Sequence, residues 1–445
     1  MTHTDAPHTL QQLLHSISAQ HTSKAALSDL SGNGYSYTAL RERAEAVGAM
    51  LRLRGINKGD RVALISENRP EWGLWYLGIT AAGAVVVPIL PDFHPRQVAG
   101  ILEHAEPSLV VVSDTMRKLA ADTDYPKMDV AEVADLPAAD RLEARETQSG
   151  NTPNGSPAPE DLAAIIYTSG TTGNPKGVML SHRNLTANVK SCLGVFPIVE
   201  TDRLLSILPL AHTYECTVGF LTPLSGGATI TYLGGPPTIS RLLPAFEKAQ
   251  PTVMLSVPLI LEKIYQAKVA PIFLKLPKWL GGLPPVRKLI HRIAVGKVKK
   301  SFGGHIRFFG IGGAPLSPAA ERFLRDGHFP YSIGYGLTET APLIAGTDVK
   351  HTRYRSTGPA VPDVSLRVAP QKEGSSEGEV QARGPNVMMG YYKNEEATRA
   401  AFTEDGWFKT GDLGSFGRQG YLFIRGRAKS MILGPSGENI YPEEI

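Results

Sequence analysis

Cysteine is almost missing from this chain. Cys192 and Cys216 are the two present in 445 residues, and no CxxC pair occurs. That excludes a disulfide framework and a cysteine zinc site, and two buried reduced thiols in a cytoplasmic protein is the plainer reading. Long apolar runs are missing too, since "GAVVVPIL" (83–90) falls far short of a membrane span. The first twenty residues lack a basic stretch followed by an apolar one, so no secretory signal is expected in them. No repeat of fixed period is evident. An excess of one charge is also lacking. The net charge is +4, and residues 266–304 hold nine Lys/Arg and no Asp or Glu, leaving the remainder net negative. A broad basic face is excluded, and with it nucleic acid as an expected partner.

What is there suits a globular enzyme. At 42% hydrophobic and 20% charged, the chain has apolar surface to bury. Its length suggests two or three packed units. The first third alternates patterns. Residues 37–55 read as a helix ending at Gly55, 60–66 as a strand, 71–83 as a helix, 84–89 as a buried strand, 94–105 as a helix and 108–114 as a strand. Continuous apolar strands separated by helices imply an α/β fold with a parallel sheet covered on both faces. A polar connector (147–161) precedes the strand "LAAIIYT", and Ser181 is placed to cap a helix over 181–196. Further strand–helix units follow, then the basic stretch, then a β-rich tail from about 355 to 426.

The strand 162–168 runs into "YTSGTTGNPKGVMLSH" (167–182). Glycines and hydroxyl residues there present N–H and O–H groups to one point, where bulk would block approach. Lys176 adds a mobile cation. A phosphate chain is the guest this suits, and a surface turn of no function is the plain alternative. The Walker A pattern fails, because Pro175 precedes Lys176 and Gly177 follows it; a P-loop kinase or ATPase is disfavoured.

That stretch resembles the phosphate loop of the adenylate-forming (AMP-binding) superfamily. Further motifs follow in the same order: "LPLAHTYE" (208–215), "GIGGAPLS" (310–317), "YGLTET" (335–340), "GWFKTGDLG" (406–414) and "IRGRAKSMILGPSGENIYPEEI" (424–445). The lengths, and the wording of "LPLAHTYE" and "MILGPSGENIYPEEI", are most similar to bacterial long-chain fatty-acid–CoA ligases. The resemblance implies stacked, mostly parallel sheets flanked by helices, plus a β-rich subdomain. It also implies a two-step reaction: a carboxylate displaces pyrophosphate from ATP to give an acyl-adenylate, and a thiol, usually coenzyme A, then displaces AMP. Positioning and charge neutralisation should carry most of the catalysis.

The resemblance also assigns residues. Thr168, Ser169, Gly170, Thr171, Thr172, Gly173 and Lys176 would wrap the β- and γ-phosphates. Thr338 would bond the α-phosphate, and Glu339 would hold Mg²⁺. Tyr335, followed by Gly336, would lie against adenine, with Gly312, Gly313 and Ala314 as the wall beside it. Asp412 would accept from both ribose hydroxyls, and Arg427 would reach the same sugar. His212 would sit near the carboxylate and gate the acyl pocket. Plain alternatives stand beside these: a helix cap for Thr338–Glu339, a turn residue for Asp412, core packing for Tyr335 and His212, and a surface ion pair for Arg427.

The apolar segments 217–230 and 252–265 would line a tunnel for a fatty acid, with Gly226 and Gly227 leaving room. Residues 266–304 mix aliphatic and aromatic side chains with cations. That suits peripheral contact with an anionic membrane at the inner surface, and equally a solvated insertion near the coenzyme A phosphates. The expected division is a large nucleotide- and acyl-binding domain (1–426), a hinge (427–430, with Lys429 at the hinge position) and a stub (431–445) of a C-terminal domain. Relatives continue for about a further domain, so a truncated ligase of low activity is expected. The alternatives are a fatty acyl-AMP ligase loading a carrier-protein thiol, and a non-catalytic nucleotide- or lipid-binding remnant.

Overall fold

The computed structural model describes residues 7–142, 155–168, 175–268, 271, 284–370, 374–428, 432–433 and 439–440. Among these residues the strands build two seven-stranded sheets, one four-stranded sheet and two short ribbons. The first sheet runs Tyr331–Ile333, Phe308–Ile311, Val253–Ser256, Arg203–Ser206, Thr229–Tyr232, Ala25–Asp29, Gly34–Ser36. All its pairings are parallel except the last. The second runs Gly390–Tyr391, Lys176–Ser181, Leu162–Thr168, Val85–Ile89, Arg61–Ile65, Leu109–Val112, Lys127–Asp129, parallel beyond its first two pairings.

Side-chain alternation explains how the second sheet is used on both faces. Val62, Leu64, Val86, Leu109 and Val111 join the large core between the sheets. Their chain neighbours Ala63, Ile65, Val85, Val87, Val110 and Val112 join a second core with Val98, Ile101 and Leu102 of the helix Pro95–Ala105. The helices Leu10–His21, Tyr37–Leu53 and Pro70–Ala81 contribute to the large core, where Trp72 and Trp75 are fully buried. Each such aromatic, taken out of water, is worth a few kcal/mol of apolar burial.

The expected α/β pattern is present: helices cover Tyr37–Leu53, Pro70–Ala81 and Pro95–Ala105, and strands cover Arg61–Ile65, Val85–Ile89 and Leu109–Val112. Ser181 caps the helix His182–Val195 as expected, its Oγ accepting from Asn184 N–H at 3.1 Å while Asn184 Oδ1 accepts from Ser181 N–H at 2.8 Å. One element was hidden. The chain after the glycine-rich loop does not pass directly into that helix. It first returns as an antiparallel strand, Lys176–Ser181, with Lys176 opposite Thr168. The β-rich tail contributes an antiparallel sheet of Ser365–Pro370, Glu377–Arg383, Phe408–Phe416 and Leu422–Arg427. Its piece Gly390–Tyr391 leaves that sheet and pairs with Lys176–Ser181 at the edge of the second sheet.

Candidate active site

Three candidate motifs follow the C-terminal ends of parallel strands in the first sheet, where open α/β sheets place their ligands. His212 follows Arg203–Ser206, Gly312–Ala314 follow Phe308–Ile311, and Tyr335 follows Tyr331–Ile333. The last two strands are paired at Ile311 and Ile333, and Gly334 N–H donates to Ile311 C=O at 2.9 Å, so the glycine turn and Tyr335 emerge side by side. Gly312 is buried, whereas Gly313 and Ala314 are exposed. A Cβ at Gly312 would stand 3.1 Å from the Tyr214 ring, so that tyrosine backs the turn.

Thr168 and Lys176 are the two ends of the glycine-rich loop, held opposite each other by the strand pairing. Ser169, Gly170, Thr171, Thr172 and Gly173 lie outside the described residues, as does Lys429. Lys176 Nζ lies 5.0 Å from the centre of the Tyr391 ring. The hydroxyl of that tyrosine donates to Glu339 Oε1 at 2.9 Å. Tyr391 therefore stands between a cation and a carboxylate of opposite charge. Among the described residues, neither Lys176 nor Glu339 has an ion-pair partner. Burial, and then the Glu339 charge, push the Tyr391 phenol pKa upward, so it remains a donor.

Thr338 and Glu339 open the short 3₁₀ turn Thr338–Thr340, and Met388 N–H donates to Glu339 C=O at 2.8 Å. Gly336 is required just before it: a Cβ there would fall 1.9 Å from the Pro342 carbonyl oxygen. The sugar end is a second cluster. Asp412 is buried and lies directly opposite Arg427 in the four-stranded sheet. Its Oδ1 accepts from Arg427 Nε at 2.8 Å and its Oδ2 from the Tyr335 hydroxyl at 2.7 Å. Among the described residues, Arg427 thus pairs with the buried Asp412 and not with a surface carboxylate. Burial first, and the Asp412 charge second, raise the Tyr335 pKa, keeping its proton in place.

His212 Nδ1 accepts the Tyr214 N–H at 3.2 Å, which puts the ring proton on Nε2. The ring reaches solvent, yet loss of hydration to the surrounding protein lowers its pKa and favours neutral imidazole. The loop carrying it is tied down by Asn68, whose Oδ1 accepts from Leu210 N–H at 2.9 Å and whose amide donates to Ser206 Oγ at 3.1 Å.

Gly226 and Gly227 do not leave tunnel space. A Cβ on Gly226 would meet Ile198 at 2.6 Å, and one on Gly227 would meet the His21 ring at 2.3 Å. These glycines end the helix Thr222–Ser225, Gly227 at φ +74°, and the room they vacate is already filled. Residues missing from the sequence reading include Tyr391 and three asparagines. Asn188 donates to Leu343 C=O at 2.7 Å and accepts its N–H at 3.2 Å. Asn184 donates to the Pro385 and Val387 carbonyls, both at 2.8 Å, and Asn386 donates to Thr340 C=O at 2.7 Å. Asn184 and Asn188 are four apart on one helix face, a spacing visible in the sequence; their targets, about 150–200 residues away, are not.

The AMP-binding enzyme family profile matches residues 14–392. The chain belongs to that family. It is 32% identical to long-chain acyl-CoA synthetase 7, peroxisomal, of Arabidopsis thaliana, an alignment covering 92% of this chain and 64% of that protein. It is 33% identical to the long-chain-fatty-acid–CoA ligase FadD15 of Mycobacterium tuberculosis, over 90% of this chain and 70% of the relative. The chain therefore spans under two thirds of the Arabidopsis protein. Among solved structures, ATP-bound MatB from Rhodopseudomonas palustris superposes with a TM-score of 0.77 at 29% identity, covering 98% of this chain and 82% of that one.

Proposed function

We propose that this AMP-binding enzyme activates a long-chain fatty acid with ATP and that coenzyme A then receives the acyl group. The observation that carries the reading is the tyrosine bridge, with Lys176 over the face of Tyr391 and Glu339 at its hydroxyl. It holds a cation and a carboxylate at one place without letting them neutralise each other, which suits a triphosphate bound with its divalent ion. In the first step an oxygen of the fatty-acid carboxylate bonds to the α-phosphorus while the bond to the β-phosphate oxygen breaks, and pyrophosphate leaves. In the second, the thiol sulfur bonds to the acyl carbon, AMP leaves and the thiol proton passes to solvent.

Lys176, on its flexible stem, would follow the charge that gathers on departing pyrophosphate. Thr338 would donate to the α-phosphate. Asp412, set by Tyr335 and Arg427, would accept from the ribose, and Gly312–Ala314 would leave a flat wall for the base. Neutral His212 would stand beside the acyl carboxylate without attracting it as an ion. Mg²⁺ would be held by Glu339, and its chemistry would be to neutralise phosphate charge. Among the described residues no group of three His, Cys, Asp or Glu side chains could hold a metal. A single carboxylate nonetheless fits this ion, which keeps water and phosphate oxygens as most of its ligands. The names of the relatives support long-chain acids and coenzyme A as substrates.

Pyrophosphate release, measured with carboxylic acids of graded chain length, tests the reading. Release that rises with chain length and is lost in Lys176→Ala and Asp412→Ala is expected. ATP binding with no release for any acid would overturn it. A carrier-protein thiol consuming the adenylate in place of coenzyme A would favour the alternative ligase.

A further inference from the structure

A second concave site lies at the opposite end of the first sheet. A cleft of about 500 Å³ is lined by Lys288 and Arg292 of the helix Pro284–Ser301 together with Arg325, His328 and Lys350. Its floor includes Pro330 and Tyr331, where the edge strand Tyr331–Ile333 begins. The candidate active site follows that strand's other end, so the two sites are separate. Asp326 is the acid lining the cleft, and its carboxylate is committed to Arg287 Nε at 2.8 Å and His291 Nδ1 at 3.1 Å. Among the described residues, no carboxylate pairs with Lys288, Arg292 or Lys350. Such a gathering of like charge in a hollow is unfavourable until an anion enters it.

The same helix turns present apolar side chains to water. Leu289 and Ile293, each one residue after a cleft cation, are 60% and 56% exposed. The two are spaced four residues apart, making one stripe along the helix. The buried face of this helix is used up by His291, Ala294, Val295 and Val298. A soluble phosphate would satisfy the cations but leave these aliphatics in water, whereas a lipid surface satisfies both.

We infer that this face docks on an anionic phospholipid bilayer, the cleft receiving a phosphorylated headgroup while Leu289 and Ile293 enter the acyl boundary. The inference is independent of the proposed reaction, and its test reads binding alone. The whole chain is sedimented with phosphatidylcholine vesicles, with and without phosphatidylglycerol, at physiological ionic strength. Pelleting only with the anionic vesicles is expected. Lys288→Glu, Arg292→Glu and Lys350→Glu combined should weaken it by at least about a hundredfold, since each lost cation near such a surface is worth roughly fivefold and each new carboxylate is repelled by it. Leu289→Gln with Ile293→Gln should weaken it while every cleft charge remains. All five positions are exposed, and an unchanged Tm confirms folding. Equal pelleting of the wild type and both variants, or none by the wild type, would overturn the inference. Inorganic phosphate is titrated without vesicles as a further arm: saturable binding lost in the triple variant, with vesicle pelleting unaffected by Leu289→Gln and Ile293→Gln, would assign the cleft to a soluble anion instead.

Discussion

Glu215 is buried in the π-helical turn Tyr214–Leu221, accepting from Ser206 Oγ–H at 2.6 Å through Oε1. Oε2 has no hydrogen-bond partner among the described residues. Burial outweighs the Ser206 bond and pushes the carboxyl pKa from 4.5 up to about 8. Between those values the folded chain holds a proton that the unfolded chain has released, so stability falls as pH rises from 4.5 to 8 and levels off above. Glu215→Gln keeps the shape and the acceptor but cannot ionise. Urea unfolding across this range should show it gaining a few kcal/mol over the wild type at pH 8 and nothing at pH 4. A second single-residue effect concerns Tyr391. Tyr391→Phe keeps the ring beneath Lys176 and removes the bond to Glu339. Bonds to charged groups are worth about 1.5–3 kcal/mol, so pyrophosphate release should drop roughly tenfold to a hundredfold with folding intact. Neither role is legible in the sequence: the glutamate that ends "LPLAHTYE" owes its shift to burial in the fold, and the tyrosine in "GYY" owes its role to Lys176 and Glu339, far along the chain.

At the scale of elements, the helix His182–Val195 acts as a peg for the segments that carry Glu339 and Tyr391. Its start was legible because the capping pair Ser181–Asn184 is a local signature. Its function was not, because Asn184 and Asn188 bond to backbone beyond residue 340. Asn188→Ala leaves the Leu343 N–H and C=O without this partner in a buried place. About 1–3 kcal/mol of stability should be lost, read as a lower Tm, and pyrophosphate release should fall further than the folded fraction alone accounts for. The hidden strand Lys176–Ser181 has a similar explanation. Its residues look like the tail of a loop until Leu162–Thr168 and Gly390–Tyr391 pair with its two edges.

On the scale of the whole molecule, the candidate site is assembled from all three major sheets: Lys176, Thr168 and Tyr391 from the second, the turns after Ile311 and Ile333 from the first, and Asp412 with Arg427 from the four-stranded one. A ligand touching all three should oppose unfolding of each. ATP with Mg²⁺ at about a hundred times its Kd should add roughly 2.7 kcal/mol to stability, seen as a rise in Tm, and Asp412→Ala should abolish most of that rise. A nucleotide that leaves Tm unchanged at saturation would contradict the assembled site.

The sequence by itself determined what depends on near neighbours. Apolar strands between amphipathic helices dictate an α/β fold, and the ordered motifs dictate the family. Periodicity and backbone freedom are local properties, written within a few residues. Tertiary structure alone decided that Tyr391 separates Lys176 from Glu339, that Gly226 and Gly227 are filled by Ile198 and His21, and that a helix bearing cations and exposed aliphatics on neighbouring stripes borders a cleft. Those facts depend on which distant segments share a sheet edge or pack together. That choice is made by the burial of the whole core, which no short window of residues contains.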